Sequence, residues 1–274
     1  CSEVSEYTIT KGILEGRVKT LHPMLYAGIL SKRKNKNHIK ELKKNNYEEI
    51  DLVIVNFYPF EETLKSTKNH NKLIENIDIG GPTLVRAAAK NYNFTTVLTS
   101  PHQYKEFILD LEKNNGSTSL AFRKKLSQEA FNLTAYYDSV ISEYLNIENK
   151  NNFPQKKTIH GNLVEVLRYG ENPHQQSAIY SKNNSLDIFQ LSGKKLSYNN
   201  YNDIYAALNI SQSLPKNTGT VIVKHANPCG VSVNKNKIES YKEALACDPV
   251  SAFGGIVSCN FKVNKKIASE LSKI

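Results

Sequence analysis

The sequence has 274 residues, enough for two domains of ordinary size, with 39% apolar residues and a formal charge of +10. No apolar run approaches the ~18 residues of a membrane span and no signal-peptide pattern opens the chain, which predicts a cytoplasmic protein without a membrane partner. The four cysteines (Cys1, Cys229, Cys247 and Cys259) are far apart and form no CxxC pair. We therefore expect free thiols rather than a disulfide framework or a zinc cluster.

The positive charge comes mainly from lysines interspersed with asparagines, as in "KRKNKNHIKELKKNN" (32–46). A run of this kind is typical of a solvated helix face. No helix-turn-helix, RNP or zinc-finger pattern accompanies it, so we do not expect a nucleic-acid partner. A positive surface would still attract anionic small molecules such as phosphates.

The first half of the chain alternates strand and helix patterns. Apolar runs predict strands buried on both faces in "IDLVIVNFYPF" (50–60) and "FTTVLTS" (94–100). Helical patterns follow over about 61–76, 82–91, 101–114 and 117–149, the last with one interruption. The alternation predicts an α/β layer structure with a parallel sheet.

A polar segment, "NKNNFPQKK" (149–157), is the predicted linker between two domains, 1–150 and 151–274. The second half is again α/β. Its predicted strands are "NLVEVLRYG", "GTVIV" and "GGIVSCNF", and its predicted helices are "YNDIYAALNISQSL" and "KIESYKEALA".

Polar side chains follow two of the predicted strands. Asn56 and Tyr58 come after the first strand, whose predicted core is 52–55, and Lys224 and His225 come after "TVIV" (220–223). Ligands of open α/β sheets bind beyond the carboxyl ends of strands. Because successive strand residues face opposite sides, Lys224 and His225 can serve one site only if the strand ends there, and we expect the turn at 226–230. Taken alone, the pair is compatible with either an incidental or a catalytic role.

The segment "NIDIGGPTLVRAAAKN" (76–91) combines an acidic residue, two glycines and a helix. Gly80 and Gly81 would let the backbone approach a ligand, and Pro82 suits the first helical position. A helix that begins there offers free N–H groups to an anion. Three side chains share one face at i, i+3 and i+7: Thr83, Arg86 and Lys90. A loop followed by the solvated face of an amphipathic helix remains an open alternative.

Two basic segments have the residue types that bind phosphate and flat heterocycles. "GRVKTLHP" (16–23) contains Arg17, Lys19, Thr20 and His22, whereas "LRYGENPHQ" (167–175) contains Arg168 and Tyr169. Arginine binds phosphate bidentately, and tyrosine stacks on flat rings. Spacing alone does not separate these roles from those of an ordinary basic loop and an ordinary turn.

Six motifs, taken together and in chain order, resemble the bifunctional AICAR transformylase/IMP cyclohydrolase family. They are "GRVKTLHP", "NFYPF", "NIDIGGPTLVRAAAKN", "LRYGENPHQ", "VKHANPCG" and "DPVSAFGG". The resemblance implies an N-terminal cyclohydrolase domain with a methylglyoxal-synthase-like parallel sheet, in 1–150. It also implies the first part of a cytidine-deaminase-like α/β transformylase domain, in 151–274.

The resemblance further implies two reactions and their ligands. A formyl group passes from 10-formyltetrahydrofolate, the co-substrate, to the amine of AICAR, and the resulting formyl-AICAR then loses water and closes to IMP. No metal is implied for this chemistry, and the intact enzyme is expected to be a homodimer.

The resemblance also implies which residues form the two sites, by matching each motif of this sequence to the family. The cyclohydrolase residues are Lys19, Tyr58, Asp78 and Lys90 in catalysis, and Arg17, Thr20, Asn56, Ile79 and Gly80 in substrate binding. In the transformylase, His225 is the expected base and Lys224 the expected stabiliser of the transition state. The expected substrate-orienting residues are Arg168, Tyr169, Asn200, Phe253 and Gly254. Asn200 could also hydrogen-bond the His225 ring.

The sequence departs from the family pattern at its two ends. No Ser- and Gly-rich phosphate-binding segment precedes "GRVKTLHP", and the folate-binding part of the transformylase is absent. The chain opens with Cys1, has Met24 as its single methionine and stops at Ile274 within a helical pattern. We therefore expect an internal fragment that is incomplete for both reactions.

Two other classes of protein share features with this sequence. "HANPCG" resembles part of a zinc-deaminase signature, but Asn227 stands where the glutamate belongs and Ser232 where the second cysteine belongs. A non-catalytic purine-ribotide binding protein, or an inactive copy of the enzyme, is permitted by the fold. That alternative would leave Lys224, His225 and Lys90 without a role.

Overall fold

A computed structural model describes residues 2–273 and divides the chain into two compact units, Cys1–His160 and Gly161–Ile274. The helices and strands of the first unit are α1 (Val4–Tyr7), α2 (Pro23–Leu30), α3 (Lys36–Lys44), β1 (Leu52–Ile54), α4 (Phe60–Ser66), α5 (His70–Glu75), α6 (Gly80–Lys90), β2 (Thr96–Leu98), α7 (Tyr104–Lys113) and α8 (Leu120–Glu148), with short 3₁₀ turns at Leu14–Gly16 and Pro101–Gln103.

Strands β1 and β2 form the parallel pair that the alternating pattern predicted, with Val53 opposite Val97. The hydrogen-bond ladder continues one residue further, where the Val55 N–H donates to the Leu98 carbonyl at 3.0 Å. All of β2 is buried, as predicted. In β1 the prediction was wrong on one face, since Val53 is buried while the Ile54 side chain is 49% exposed. Adjacent strand residues face opposite sides, and the core covers the Val53 side fully but the other side only at Leu52, which is partly buried.

The helices of the first unit differ from the predicted ones in three places. The pattern at 61–76 is two helices, because the Asn69 side chain accepts the Lys72 N–H at 3.1 Å and so caps a new helix, α5. Helix α6 begins at Gly80 rather than at Pro82. Helix α8 runs through its 29 residues without the expected interruption.

Helix α8 packs along the core of the first unit. Near its start, Phe122, Leu126 and Ala130 pack with the buried residues of β1, β2 and α6. Farther along, Tyr137 and Val140 pack with Phe60 of α4 and Leu73 of α5. One helix therefore lines both apolar clusters of this unit.

The second unit contains β3 (Asn162–Val166), β4 (Ala178–Ser181), α9 (Tyr198–Ser213), β5 (Gly219–Lys224), β6 (Asn227–Val233), α10 (Lys237–Cys247), α11 (Pro249–Ala252), β7 (Ile256–Cys259) and α12 (Lys265–Leu271). Strands β3 and β4 pair with each other, and a second sheet has the order β6-β5-β7. All three pairings are antiparallel. Val221 and Val223 of β5 pack on Ala207 of α9, while Ile222 packs on Tyr241 of α10.

The expected turn at 226–230 is wrong, because β6 begins at Asn227 and the turn is shorter. Pro228 is tolerated in this strand because β6 is an edge strand of its sheet, and the pairing register shifts beside it, from Ile222↔Gly230 to Val223↔Pro228. Gly230 lets α10 approach, since a Cβ there would lie 1.9 Å from the Ala244 carbonyl oxygen. The Asn-Pro-Cys-Gly sequence has residue types that are common in turns, yet it forms a strand because it pairs with β5.

The structure bears on the expected helix face, the thiols and the membrane spans. The Lys/Asn run forms α3, whose lysines are exposed while Leu42 is buried, which confirms a solvated helix face. Cys229, Cys247 and Cys259 are free thiols, as expected, and Cys1 lies outside the described residues. Between residues 2 and 273, no helix is both long enough and apolar enough to cross a bilayer.

Candidate functional site

In the first unit, the Asp78 carboxylate connects the first turn of α6 to the segment after β1. Its Oδ1 accepts the Gly81 N–H at 2.8 Å, within the first turn of α6, and its Oδ2 accepts the Tyr58 N–H at 3.3 Å, in the segment after β1. The Asp78 N–H in turn donates to the Tyr137 hydroxyl at 2.9 Å. Burial raises the pKa of Tyr137, so this hydroxyl stays protonated at neutral pH. Asp78 thus occupies a helix N–H that was expected to be open to an anion.

The basic segment before α2 lies against the start of α6. A Cβ on Gly80 would lie 2.5 Å from the Thr20 hydroxyl oxygen, so glycine is what allows Thr20 to sit there. Arg17 forms an exposed ion pair with Glu75, and Lys19 is exposed. The structure therefore brings Thr20, Gly80 and Asp78 together around the first turn of α6.

A cleft of about 300 Å³ opens where β1 and β2 end. Asn56 and Tyr58 line it from the segment after β1, and Thr99 and Ser100 line it from the segment after β2. Aromatic and apolar side chains of α8 complete the wall, namely Leu133, Tyr136, Tyr137 and Val140. This is the carboxyl end of a parallel pair, the position at which ligands of open α/β sheets bind.

Lys90 and Ile79 lie at opposite ends of α6. Lys90 is the last residue of the helix and is exposed, about 15 Å from Gly80 at the usual rise per residue. Ile79 is the residue that precedes the helix, and its side chain is exposed. Lys90 is thus set apart from the group around Asp78, whereas Ile79 adjoins it.

In the second unit, His225 and Ala226 form the two-residue turn between β5 and β6. Both have left-handed backbone angles, with φ of 53° and 59°, and Lys224 pairs with Asn227 across the turn. These are the features of a type I′ hairpin turn, which normally contains glycine or asparagine because other residues are strained there. The turn exposes the His225 side chain at the tip of the hairpin. Such strain occurs preferentially at functional positions.

Lys224 reaches from the hairpin to the "DPVSAFGG" segment. Its Nζ donates to the Phe253 carbonyl at 2.9 Å, and the next residue, Gly254, has a φ of 73° that favours glycine. Asp248 begins α11 by accepting the Ser251 N–H at 2.9 Å and the Ser251 hydroxyl at 2.5 Å. These hydrogen bonds, together with the charge of Lys224, lower the pKa of Asp248. Lys224, His225, Phe253 and Gly254 therefore lie in one neighbourhood.

The other expected substrate-orienting residues have local partners. The Arg168 guanidinium lies over the Tyr169 ring, 5.5 Å from its centroid. The Asn200 Oδ1 accepts the Ser197 N–H and hydroxyl, each at 3.0 Å, in a capping box at the start of α9. Among residues 2–273, Asn200 is bonded to Ser197 rather than to the His225 ring.

Sequence reasoning missed Asp203, a carboxylate of α9 that bonds the backbone of the hairpin turn. Its Oδ1 accepts the Ala226 N–H at 2.7 Å. Asp203 lies one helical turn after Asn200 in α9, so the two share a face. That spacing was readable from the sequence, but nothing local to Asp203 indicates a partner in a distant turn.

Comparison with known proteins assigns both parts of the chain. The MGS-like domain model matches residues 1–83, and the AICARFT/IMPCHase bienzyme model matches residues 88–274. The chain therefore belongs to the AICARFT/IMPCHase bienzyme family, as its motifs indicated. The expected fold class, a methylglyoxal-synthase-like domain followed by transformylase sequence, is confirmed.

Curated relatives support the same assignment, and one solved structure resembles part of the chain. The bifunctional purine biosynthesis protein PurH of Rippkaea orientalis is 45% identical over 99% of this chain and 54% of its own length. That of Persephonella marina is 44% identical over all of this chain and 54% of its own length. The chain thus spans about half the length of the curated relatives it matches. The crystal structure of ForH matches 52% of this chain and 74% of its own, at 28% identity and a TM-score of 0.46.

Proposed function

We propose that the protein to which this chain belongs carries out the last two steps of IMP synthesis in the cytoplasm. The formyl group of 10-formyltetrahydrofolate passes to AICAR, and formyl-AICAR then loses water and closes to IMP, with no metal required. We assign ring closure to residues 1–150 and formyl transfer to a domain that includes 151–274. The proposed active form is a homodimer.

The observation that supports this proposal is the hairpin tip, where Lys224 ends β5 and the exposed His225 follows it in the turn. The AICAR amine is a poor nucleophile because its lone pair is delocalised. Its attack on the formyl carbon therefore requires removal of an N–H proton, which we assign to His225. The Lys224 ammonium would stabilise the developing formyl oxyanion. Arg168, Tyr169, Asn200, Phe253 and Gly254 are proposed to orient the ribotide.

For ring closure, we propose the cleft beyond β1 and β2 together with the adjoining first turn of α6. The carboxamide nitrogen loses a proton and attacks the formyl carbon. The formyl oxygen takes up that proton and the proton of the formamide N–H, and it leaves as water while the formamide nitrogen forms a C=N bond to the same carbon. Lys19, Tyr58 and Asp78 are proposed to share proton transfer and charge stabilisation around this turn. The acid/base role proposed for Lys90 requires it to act from the far end of α6. Arg17, Thr20, Asn56, Ile79 and Gly80 are proposed contacts of the nucleotide.

The test is an assay of the full-length protein and its His225→Ala variant with AICAR and 10-formyltetrahydrofolate, and separately with formyl-AICAR. We expect the variant to lose formyl transfer by about 10²- to 10⁴-fold, the usual contribution of a general base. Its ring closure should be unchanged, because we assign that reaction to the other unit. If the unsubstituted protein binds AICAR but produces no IMP from either substrate, a non-catalytic ribotide-binding role replaces this proposal.

A further inference from the structure

The turn that carries His225 is held by a carboxylate from a neighbouring helix. Asp203 of α9 accepts the Ala226 N–H at 2.7 Å. We propose that Asp203 is a positioning residue for formyl transfer, which fixes the backbone that presents His225. This inference rests on the proposed role of His225 as the base.

Both ends of one peptide group are fixed in this turn. The N–H that Asp203 accepts belongs to the peptide bond between His225 and Ala226. The carbonyl of that bond is the His225 oxygen, which accepts the Asn227 Nδ2–H at 2.9 Å. Because a peptide group is planar, holding its N–H and its C=O fixes ψ of His225 and φ of Ala226. The direction in which the His225 side chain leaves the hairpin is thereby set.

The backbone of this turn needs such support. Type I′ turns form readily with Asn-Gly or Gly-Gly, whereas here His225 and Ala226 both carry a Cβ at positive φ. Their side chains therefore favour other conformations. A hydrogen bond to an ionised carboxylate is stronger than one to a neutral acceptor and can hold the less favoured conformation.

Asp203 is itself on a rigid element. Helix α9 is capped at its start by the Ser197–Asn200 capping box, and it packs through Ala207 against Val221 and Val223 of β5. The strand that leads into the turn and the helix that supplies the carboxylate therefore share one core. A catalytic side chain needs this kind of fixed support, since a displacement of about 1 Å can cost 10²-fold in rate.

The first test is amide hydrogen exchange by NMR on this chain with Asp203→Ala, Asp203→Asn and the neighbouring exposed residue changed as a control, Asn202→Ala. We expect Asp203→Ala to accelerate exchange of the Ala226 amide at least tenfold while the amides of Val221–Val223 keep their protection. Asp203→Asn should retain most protection because its amide oxygen still accepts, and Asn202→Ala should change nothing. An unchanged Ala226 amide in Asp203→Ala would overturn the inference.

The second test measures formyl transfer in the full-length protein. We expect Asp203→Ala to lower kcat about 10- to 100-fold, with the KM for AICAR and ring closure little changed, and Asp203→Asn to recover most of the rate. Accelerated exchange with an unchanged kcat would overturn the positioning role. A full-length protein without any formyl transfer would refute the proposed function instead, while the exchange result would still report whether Asp203 holds the turn.

Discussion

In both candidate sites an aspartate accepts backbone N–H groups, but the local backbone conformation differs between the two. In the first unit, Asp78 accepts backbone N–H groups of Gly81 and Tyr58, so it joins a helix start to the end of a parallel strand. In the second unit, Asp203 accepts the N–H of Ala226 in the turn of an antiparallel hairpin. Each carboxylate is thus bonded to main chain in the vicinity of residues with proposed catalytic roles.

The difference between them lies in the conformation that each aspartate supports. The first turn of α6 is helical, and strand ends of a parallel pair converge without special backbone angles. The hairpin turn has two residues with a Cβ at positive φ. A carboxylate in the first site joins segments that would form anyway, whereas in the second it holds a turn that is unfavourable by itself. The following substitutions test whether the two units respond separately.

The largest effect is expected for Gly230→Ala, which should destabilise the second unit alone. The new Cβ would lie 1.9 Å from the Ala244 carbonyl oxygen, so α10 must move away from β6. We expect a loss of about 3 kcal/mol in the free energy of unfolding, as for severe overpacking. Urea-dependent hydrogen exchange of β5 and β6 measures it.

The control is Gly12→Ala, whose Cβ would meet nothing closer than 4.0 Å and should be nearly neutral. The comparison breaks down if the amides of β1 and β2 lose as much protection as those of β5, because the two units would then unfold together.

A smaller effect is expected for Asp78→Ala, confined to the first unit. Two backbone N–H groups lose their acceptor, which should cost about 1 kcal/mol, the usual effect of removing a helix cap. Ring closure of formyl-AICAR should fall with it, while formyl transfer is unaffected. Thermal unfolding and the two separate assays measure these changes.

Asp78→Asn is the matched variant, since its amide oxygen can still accept the Gly81 N–H. If it loses as much stability as Asp78→Ala, the charge of Asp78 matters more than its hydrogen bonds, and the analogy with Asp203 fails.

The smallest effect concerns the pKa of Asp248, a third aspartate whose carboxylate accepts a backbone N–H, that of Ser251. Its pKa lies below the ordinary value of 3.8, chiefly because the Ser251 hydroxyl donates to it. Since the folded pKa is the lower one, the stability that Asp248 contributes is present above about pH 4 and is lost as the pH falls through the folded pKa. We expect Ser251→Ala to raise this pKa, measured by carboxyl ¹³C NMR, and the exposed Ser269→Ala to leave it unchanged. An equal shift in both variants would contradict the assignment.

Much of the fold was readable from the sequence where the signal is local. The buried run of β2 and the helical period of α8 each depend on a short stretch, and both were predicted. The end of β5 was predicted one residue early, at Val223 rather than Lys224. The start of β6 was missed because Asn227 and Pro228 have turn chemistry, and only pairing with β5 decides that they form a strand.

The candidate site was predicted less completely, for the same physical reason. The motifs point to Lys224 and His225, but the partner of their turn, Asp203, is a helical residue far away in the chain. The bond proposed from Asn200 to the His225 ring was wrong for this structure, since Asn200 caps its own helix through Ser197. Hydrogen bonds between distant segments depend on how helices and strands pack, which a single sequence does not encode in any short pattern.

The unbroken course of α8 has a consequence for how the first unit loses its structure. At about 43 Å it is long enough to line the cluster around β1 and β2 and the cluster around Phe60 and Leu73 in succession. Nucleating a helix is unfavourable in free energy, whereas extending it adds one hydrogen bond per residue. A break in the middle of α8 would require a second nucleation and is therefore unfavourable. We therefore expect the two clusters to lose their structure in one cooperative transition, because both depend on the same helix.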